Sequence, residues 1–149
     1  MVKRCSQHDM MNKIEELIEV SRSGVLATAD KSGRPHVRWM TPVTLKGRAG
    51  VLFAVTSPQF AKVMELKAQP RVQWMIQHPS LNEVVTISGR VNVIDNPALK
   101  TEVMDALGAR LLVFWKLNRR SQWVVLETVI EEATLFMTMK GEKKTVTFA

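Results

Sequence analysis

Apolar positions along this chain change their spacing several times, and each change marks an element. Met10, Ile14, Leu17 and Ile18 recur near helical spacing, with Glu15, Glu16 and Glu19 outside them. That pattern predicts a first helix from about Asp9 to Ser21, with Asp9 as a candidate cap. Short half-apolar runs follow at Gly24–Ala29, Pro35–Thr44, Val51–Thr56, Arg71–Ile76 and Glu83–Ile94, and two more at Gln122–Ile130 and Glu132–Met139. Each reads as a strand. Ser32-Gly33 sits in a turn between the first two, a hairpin signal, and Lys46 to Gly50 forms the next turn.

Helical signals interrupt the strands. Ser57-Pro58 and Asn96-Pro97 each place a capping side chain before a proline, which predicts helices running to about Gln69 and Leu107. Arg110 to Leu117 reads as a further short helix. Gly89 falls inside the fifth strand, where a glycine signals a bulge or bend. Strands joined mostly by turns, with helices inserted at intervals, predict a mainly β (β+α) fold. The expected form is an antiparallel barrel of six to seven strands with peripheral helices.

Composition narrows the class. A chain of 149 residues, 46% apolar, fits one folded domain spanning residues 1–149. No apolar run approaches the ~20 residues that cross a bilayer, and Met1 to Asn12 lacks the apolar segment of a secretory signal. A cytoplasmic protein without membrane contact is the expectation. Cys5 is the single cysteine, so no intramolecular disulfide forms, and His8, His36 and His78 have no metal-ligand spacing. The net charge of +7 attracts anions. Its basic residues are scattered, in short clusters such as Lys3-Arg4, Arg119-Arg120 and Lys140 to Lys144, without the interleaved aromatics of a nucleic-acid surface. Nucleic acid is therefore not an expected partner.

The candidate chemistry gathers on three neighbouring elements. In the second strand, Val37, Trp39, Thr41 and Val43 alternate onto one face and leave His36, Arg38 and Met40 on the other. Arg38 offers a planar donor fork suited to phosphate. A helix opening at Ser57 would add unpaired backbone N–H groups and a positive dipole end, with the Thr56 and Ser57 hydroxyls beside them. Lys62 follows about one turn into that helix. Each residue alone has an ordinary surface role; together they make a phosphate cradle.

The order of these residues also resembles a known family. Ala27-Thr28, Asp30, Gly33, Pro35, Val37-Arg38 and Met40 are followed by Phe53, Thr56-Ser57, Lys62, Leu66, Pro70 and Val72. Then come Ser88-Gly89, Val91, Val93, Asp95, Pro97 and Leu99-Lys100. From Gly24 to Lys100 the chain resembles the FMN-binding split-barrel proteins related to pyridoxamine 5'-phosphate oxidase, in their general-stress-protein-like branch. The resemblance implies a split β-barrel and a homodimer holding two flavins between its subunits. It implies Arg38 and Lys62 as partners of the FMN phosphate and ribityl chain. Trp39 and Met40 would lie along the ring through their backbone, and Val55, Thr56 and Ser57 would line the same site. Relatives often carry serine and arginine before the helix lysine, where this chain has Phe60 and Ala61. Phe136 and Met137 stand where the true oxidase has substrate-binding residues, so vitamin B6 oxidase activity is not expected.

The leading expectation is thus an FMN-dependent oxidoreductase or flavin-binding protein acting on a small molecule. Two rivals remain: a reductase using the deazaflavin F420, whose acidic tail suits the net charge, and a non-catalytic module holding haem or another anion. Trp74, Trp115 and Trp123 are expected in the core or a dimer interface. Trp115, in a segment with Lys116, Arg119 and Arg120, could instead cover a bound ring. No general acid or base stands out.

Overall fold

The structure, a computed structural model, describes residues 5–57, 61–108 and 123–148, without the side chains of Ala61 and Lys62. Its elements run α1 (Gln7–Ser21), β1 (Gly24–Ala29), β2 (Pro35–Met40), β3 (Val51–Thr56), α2 (Ala61–Ala68) and β4 (Arg71–Gln77). Then come β5 (Glu83–Ile94), α3 (Pro97–Leu107), β6 (Val124–Met137) and β7 (Glu142–Thr147). All strand pairs are antiparallel, in the order β2-β1-β4-β5-β6-β3, with β7 on β6. Just beyond β2, Val43 exchanges two backbone hydrogen bonds of 2.8 Å with Phe53 of β3. That bridge brings the two ends of the sheet together, and the result is the β-rich split barrel expected.

Inward residues fill the barrel. β4 alternates without exception: Val72, Trp74 and Ile76 are buried, while Arg71, Gln73, Met75 and Gln77 face out. Leu26, Met40, Leu52, Ala54, Val85, Ile87 and Leu126 join the same core. α1 adds Met10, Met11, Ile14 and Leu17, and α2 adds Leu66. Each large apolar side chain so buried stabilises the fold by roughly 1.5–3 kcal/mol before entropy is counted. A second core lies under α3, where Leu99, Val103 and Leu107 pack on Val43, Phe53 and Val125.

Three local readings need correction, the first being that β2 stops at Met40 instead of Thr44. α1 begins at Gln7, and its cap is Ser6, whose Oγ accepts from the Asp9 N–H at 3.0 Å. Asp9 returns the bond by accepting from the Ser6 N–H at 3.1 Å, so it closes a capping box instead of capping the helix. At the other end of the chain, the two strands expected at Gln122–Ile130 and Glu132–Met139 form one continuous strand, β6. The last strand, β7, lies where the sequence showed only a cluster of lysines. The expected cap at Asn96 is present, its Oδ1 accepting from the Leu99 N–H at 3.0 Å. The expected helix at Arg110–Leu117, and Trp115 with it, lies outside the described residues.

The long strand β6 has β5 on one edge along its whole length. On its other edge it pairs with β3 through Val124–Val129 and with β7 through Glu132–Met137. The change of partner falls at a bulge, where Gly89 faces Ile130, Ser88 faces Glu132, and Glu131 is the extra residue. Glu131 is nonetheless anchored: its carbonyl accepts from the Phe148 N–H at 2.8 Å, and its carboxylate lies 3.4 Å from Arg90 Nε.

Candidate functional site

The β1–β2 hairpin is organised by one carboxylate. Asp30 Oδ1 accepts from the Ser32 N–H at 3.0 Å, the Ser32 hydroxyl at 2.9 Å and the Arg34 N–H at 2.9 Å. Its second oxygen, Oδ2, lies 3.3 Å from His36 Nε2. Gly33 takes the positive φ of 83° that this tight turn demands. The Arg34 N–H, then the Ser32 hydroxyl and His36, hold the Asp30 carboxyl below its ordinary value of 3.8. A lowered value means the ionised form stabilises the fold above the ordinary carboxylate range, and that contribution disappears as the pH falls through the folded-state value. Asp30→Asn is therefore expected to be less stable than wild type at pH 7. The gap should close progressively below about pH 4, which urea denaturation at both pH values would measure.

Beyond the turn, β2 presents its residues alternately. Val37 and Trp39 point outward and are 70% and 78% exposed, whereas Met40 is buried in the barrel core. Arg38 shares the inward parity of Met40, yet its side chain remains 23% exposed. Its Nη1 donates to Thr28 Oγ1 at 2.8 Å, and its Nη2 lies 3.7 Å from Glu65 Oε2 on α2. Thr28 Oγ1 donates in turn to Glu65 Oε2 at 3.1 Å. His36 Nε2 approaches the other Glu65 oxygen at 3.8 Å. Partial burial lowers the Arg38 pKa from its ordinary value, and the Glu65 charge opposes that shift. Arg38 remains a cation at any relevant pH.

These contacts bring β2 against α2. Lys62 lies in the first turn of that helix, three residues before Glu65, a spacing that puts the two positions on neighbouring parts of one face. Its side chain lies outside the described residues, as do Pro58 to Phe60 and with them the expected helix start. The remaining candidates divide by strand parity. Thr56, at the end of β3, shares the inward face of Leu52 and Ala54; its hydroxyl is fully buried and has no hydrogen-bond partner among the described residues. Ser57 is buried beside it. Val55 faces the other way, partly buried against the α3 core.

Glu65 escaped the sequence reading. Its signal was there in principle: a carboxylate three residues after the candidate lysine, on a helix read only for its cations. His36, on the Arg38 face of β2 as its alternation predicts, is half-buried between Asp30 and Glu65. Among the described residues, no group of His, Cys, Asp and Glu side chains is placed to hold a metal ion.

The family model described as pyridoxamine 5'-phosphate oxidase matches residues 10–135, which is most of the chain. The chain belongs to this family. Among curated proteins, none matches the sequence. Solved structures share the fold. One is a protein from Clostridium acetobutylicum described as related to general stress protein 26 of B. subtilis and as of the pyridoxinephosphate oxidase family. It has a TM-score of 0.73 at 15% identity, over 93% of this chain and 94% of that one. Another, from Nostoc punctiforme, is described as a pyridoxamine 5'-phosphate oxidase-related, FMN binding protein; its TM-score is 0.65 at 15% identity, over 93% and 95% of the two chains. A third is described as an F420 reductase, with a TM-score of 0.61 at 20% identity over 80% of this chain and 94% of that one. At such identities the likeness is one of fold.

Proposed function

We propose that this family member is an FMN-binding, oxidoreductase-like protein whose flavin phosphate binds between β2 and α2. The observation that carries the reading is the contact of Arg38 with α2: a guanidinium on one strand lies within 3.7 Å of the helix that bears Lys62. Two cations on adjoining elements suit a phosphate better than either alone. The buried hydroxyl of Thr56 suits it as well, because a buried polar atom without a partner is costly unless a ligand or water satisfies it. One feature of the donor set runs against an anion, the Glu65 carboxylate already beside Arg38.

In this reading Arg38 and Lys62 hold the phosphate, the backbones of Trp39, Met40 and Val55 border the rest of the flavin, and Thr56 and Ser57 line it. Bound flavin would supply the hydride or electron chemistry. This chain's residues bind it, orient it and keep water from its inner side. The outward pair Val37 and Trp39 supports a homodimer, since exposed apolar side chains grouped on one strand suit a partner surface. The net charge of +7 and the F420 reductase among the neighbours favour a second reading, in which F420 takes the place of FMN. Parallel titrations with the two cofactors would separate them.

The visible absorption spectrum of the protein as purified, followed by FMN titration, tests the proposal. A colourless protein that leaves FMN fluorescence unquenched would reject it. Arg38→Ala and Lys62→Ala are each expected to remain folded and to weaken FMN binding by about 1–3 kcal/mol, the range for hydrogen bonds to charged groups. Unchanged affinity in both variants would remove the phosphate from this place.

A further inference from the structure

Arg38 already has an anion. Glu65, with its side chain only 18% exposed, closes a three-membered ring: Arg38 donates to Thr28, Thr28 donates to Glu65, and Glu65 faces Arg38. A carboxylate presents two coplanar oxygens to a guanidinium, as the edge of a phosphate does. Glu65 also sits three residues from Lys62 on α2, so its carboxylate occupies the side of Arg38 that faces the helix. A phosphate bound between Arg38 and α2 would need that place.

Two anions cannot share it without cost. In a partly buried site the repulsion between carboxylate and phosphate is weakly screened, and the Thr28 hydroxyl has one proton to donate. On its far side, Glu65 Oε1 lies 3.8 Å from His36 Nε2, which is itself 3.3 Å from Asp30 Oδ2. We propose that Glu65 is a specificity-determining residue of this site: its carboxylate holds the anion position on Arg38, and a phosphate-bearing ligand binds by displacing it.

The consequence is a cost common to every phosphate-bearing ligand, which only a ligand with further contacts offsets. A small anion offers little beyond its charge and competes poorly with a carboxylate already tethered to the fold. A ligand that carries a polyol and a ring besides its phosphate brings further contacts, and these drive the exchange. Bare phosphate and short phosphorylated metabolites would thus be rejected by a site that still accepts a complete cofactor. This inference rests on the reading of Arg38 as a phosphate partner.

Glu65→Gln tests it, because the amide preserves shape and can still accept from Thr28 but carries no charge. Binding of inorganic phosphate is measured by calorimetry, and binding of FMN and riboflavin by fluorescence quenching. Glu65→Gln is expected to bind phosphate and FMN about tenfold more tightly than wild type, the scale on which a like charge in contact shifts an ionisation equilibrium. Riboflavin, which has no phosphate, should show no gain, and Arg38→Ala added to Glu65→Gln should cancel the gain for the other two. Glu65→Ala provides the same comparison where the glutamine variant does not fold.

FMN binding to wild type without any gain in either Glu65 variant would overturn the role of Glu65 and leave the flavin reading intact. A phosphate gain dependent on Arg38, in a protein that binds no FMN, would support the role of Glu65 and reject the flavin. Equal phosphate affinity in all three proteins would overturn the inference outright.

Discussion

Gly89→Ala is expected to destabilise the protein by about 3 kcal/mol, the upper end of what overpacking a tight site costs. A Cβ at this position would stand 2.4 Å from the Val129 carbonyl oxygen and 3.0 Å from Thr128 Cγ2. Side-chain atoms can swing aside, but the carbonyl belongs to the β5–β6 ladder. To relieve the contact the two strands must separate at the bulge that carries Glu131. That bulge is where β6 leaves β3 for β7, so the strain reaches two further strands. Urea denaturation followed by tryptophan fluorescence measures the loss. Gly47→Ala is the control, because Gly47 has open space around it and a φ of 81°. Its cost should be about 1 kcal/mol from backbone conformation alone. Equal losses at the two positions would mean that crowding at Gly89 has been overstated.

The same bulge explains what the sequence could and could not reveal. Before it, the inward residues of β6 are Leu126, Thr128 and Ile130; after it, they are Ala133 and Leu135. One extra residue reverses the parity of alternation, and a period-two reading then breaks a single strand into two. β7 was invisible for a related reason. Glu142, Lys143 and Lys144 are exposed or half-buried, and Val146 is the one fully buried side chain of that strand. The other strands were legible because one face of each is buried and glycine or proline marks the turns beside them. Strand β4, with no irregularity, was the plainest of all.

Of the candidate site, the sequence points to Arg38, Lys62 and the Thr56 and Ser57 hydroxyls, but not to the carboxylate beside Arg38. Arg38 stood out as an arginine on a strand, and Lys62 by its distance from Ser57-Pro58. What the sequence cannot show is that Arg38 reaches Thr28 and Glu65, because those contacts join positions 10 and 27 residues apart along the chain. Strand pairing and the packing of α2 across β1 create them. The parity of β2 was read correctly, yet parity alone does not say that its Arg38 face meets a carboxylate.

Trp74→Ala should cost the fold more still, about 3–5 kcal/mol, as expected for emptying the site of a large buried aromatic. Trp74 is 1% exposed, lies opposite Leu26 on β1 and Ile87 on β5, and donates from Nε1 to Thr128 Oγ1 at 3.0 Å. The indole therefore ties three adjoining strands to β6 on the far side of β5. Removing only the acceptor, with Thr128→Val, leaves the buried N–H unsatisfied and should cost about 1–3 kcal/mol. Trp74→Phe removes the donor and leaves much of the volume. If the hydrogen bond is what couples the two residues, the double variant will lose less stability than the two single variants added together. Strict additivity would show that Trp74 acts through volume alone. Both residues lie in the barrel wall, and the hydrogen bond between them is separate from the Arg38–Thr28–Glu65 contacts, so these losses belong to the frame. A Thr128→Val protein that is less stable yet keeps its FMN affinity, beside an Arg38→Ala protein that is folded yet loses it, would assign stability and binding to separate parts of the molecule.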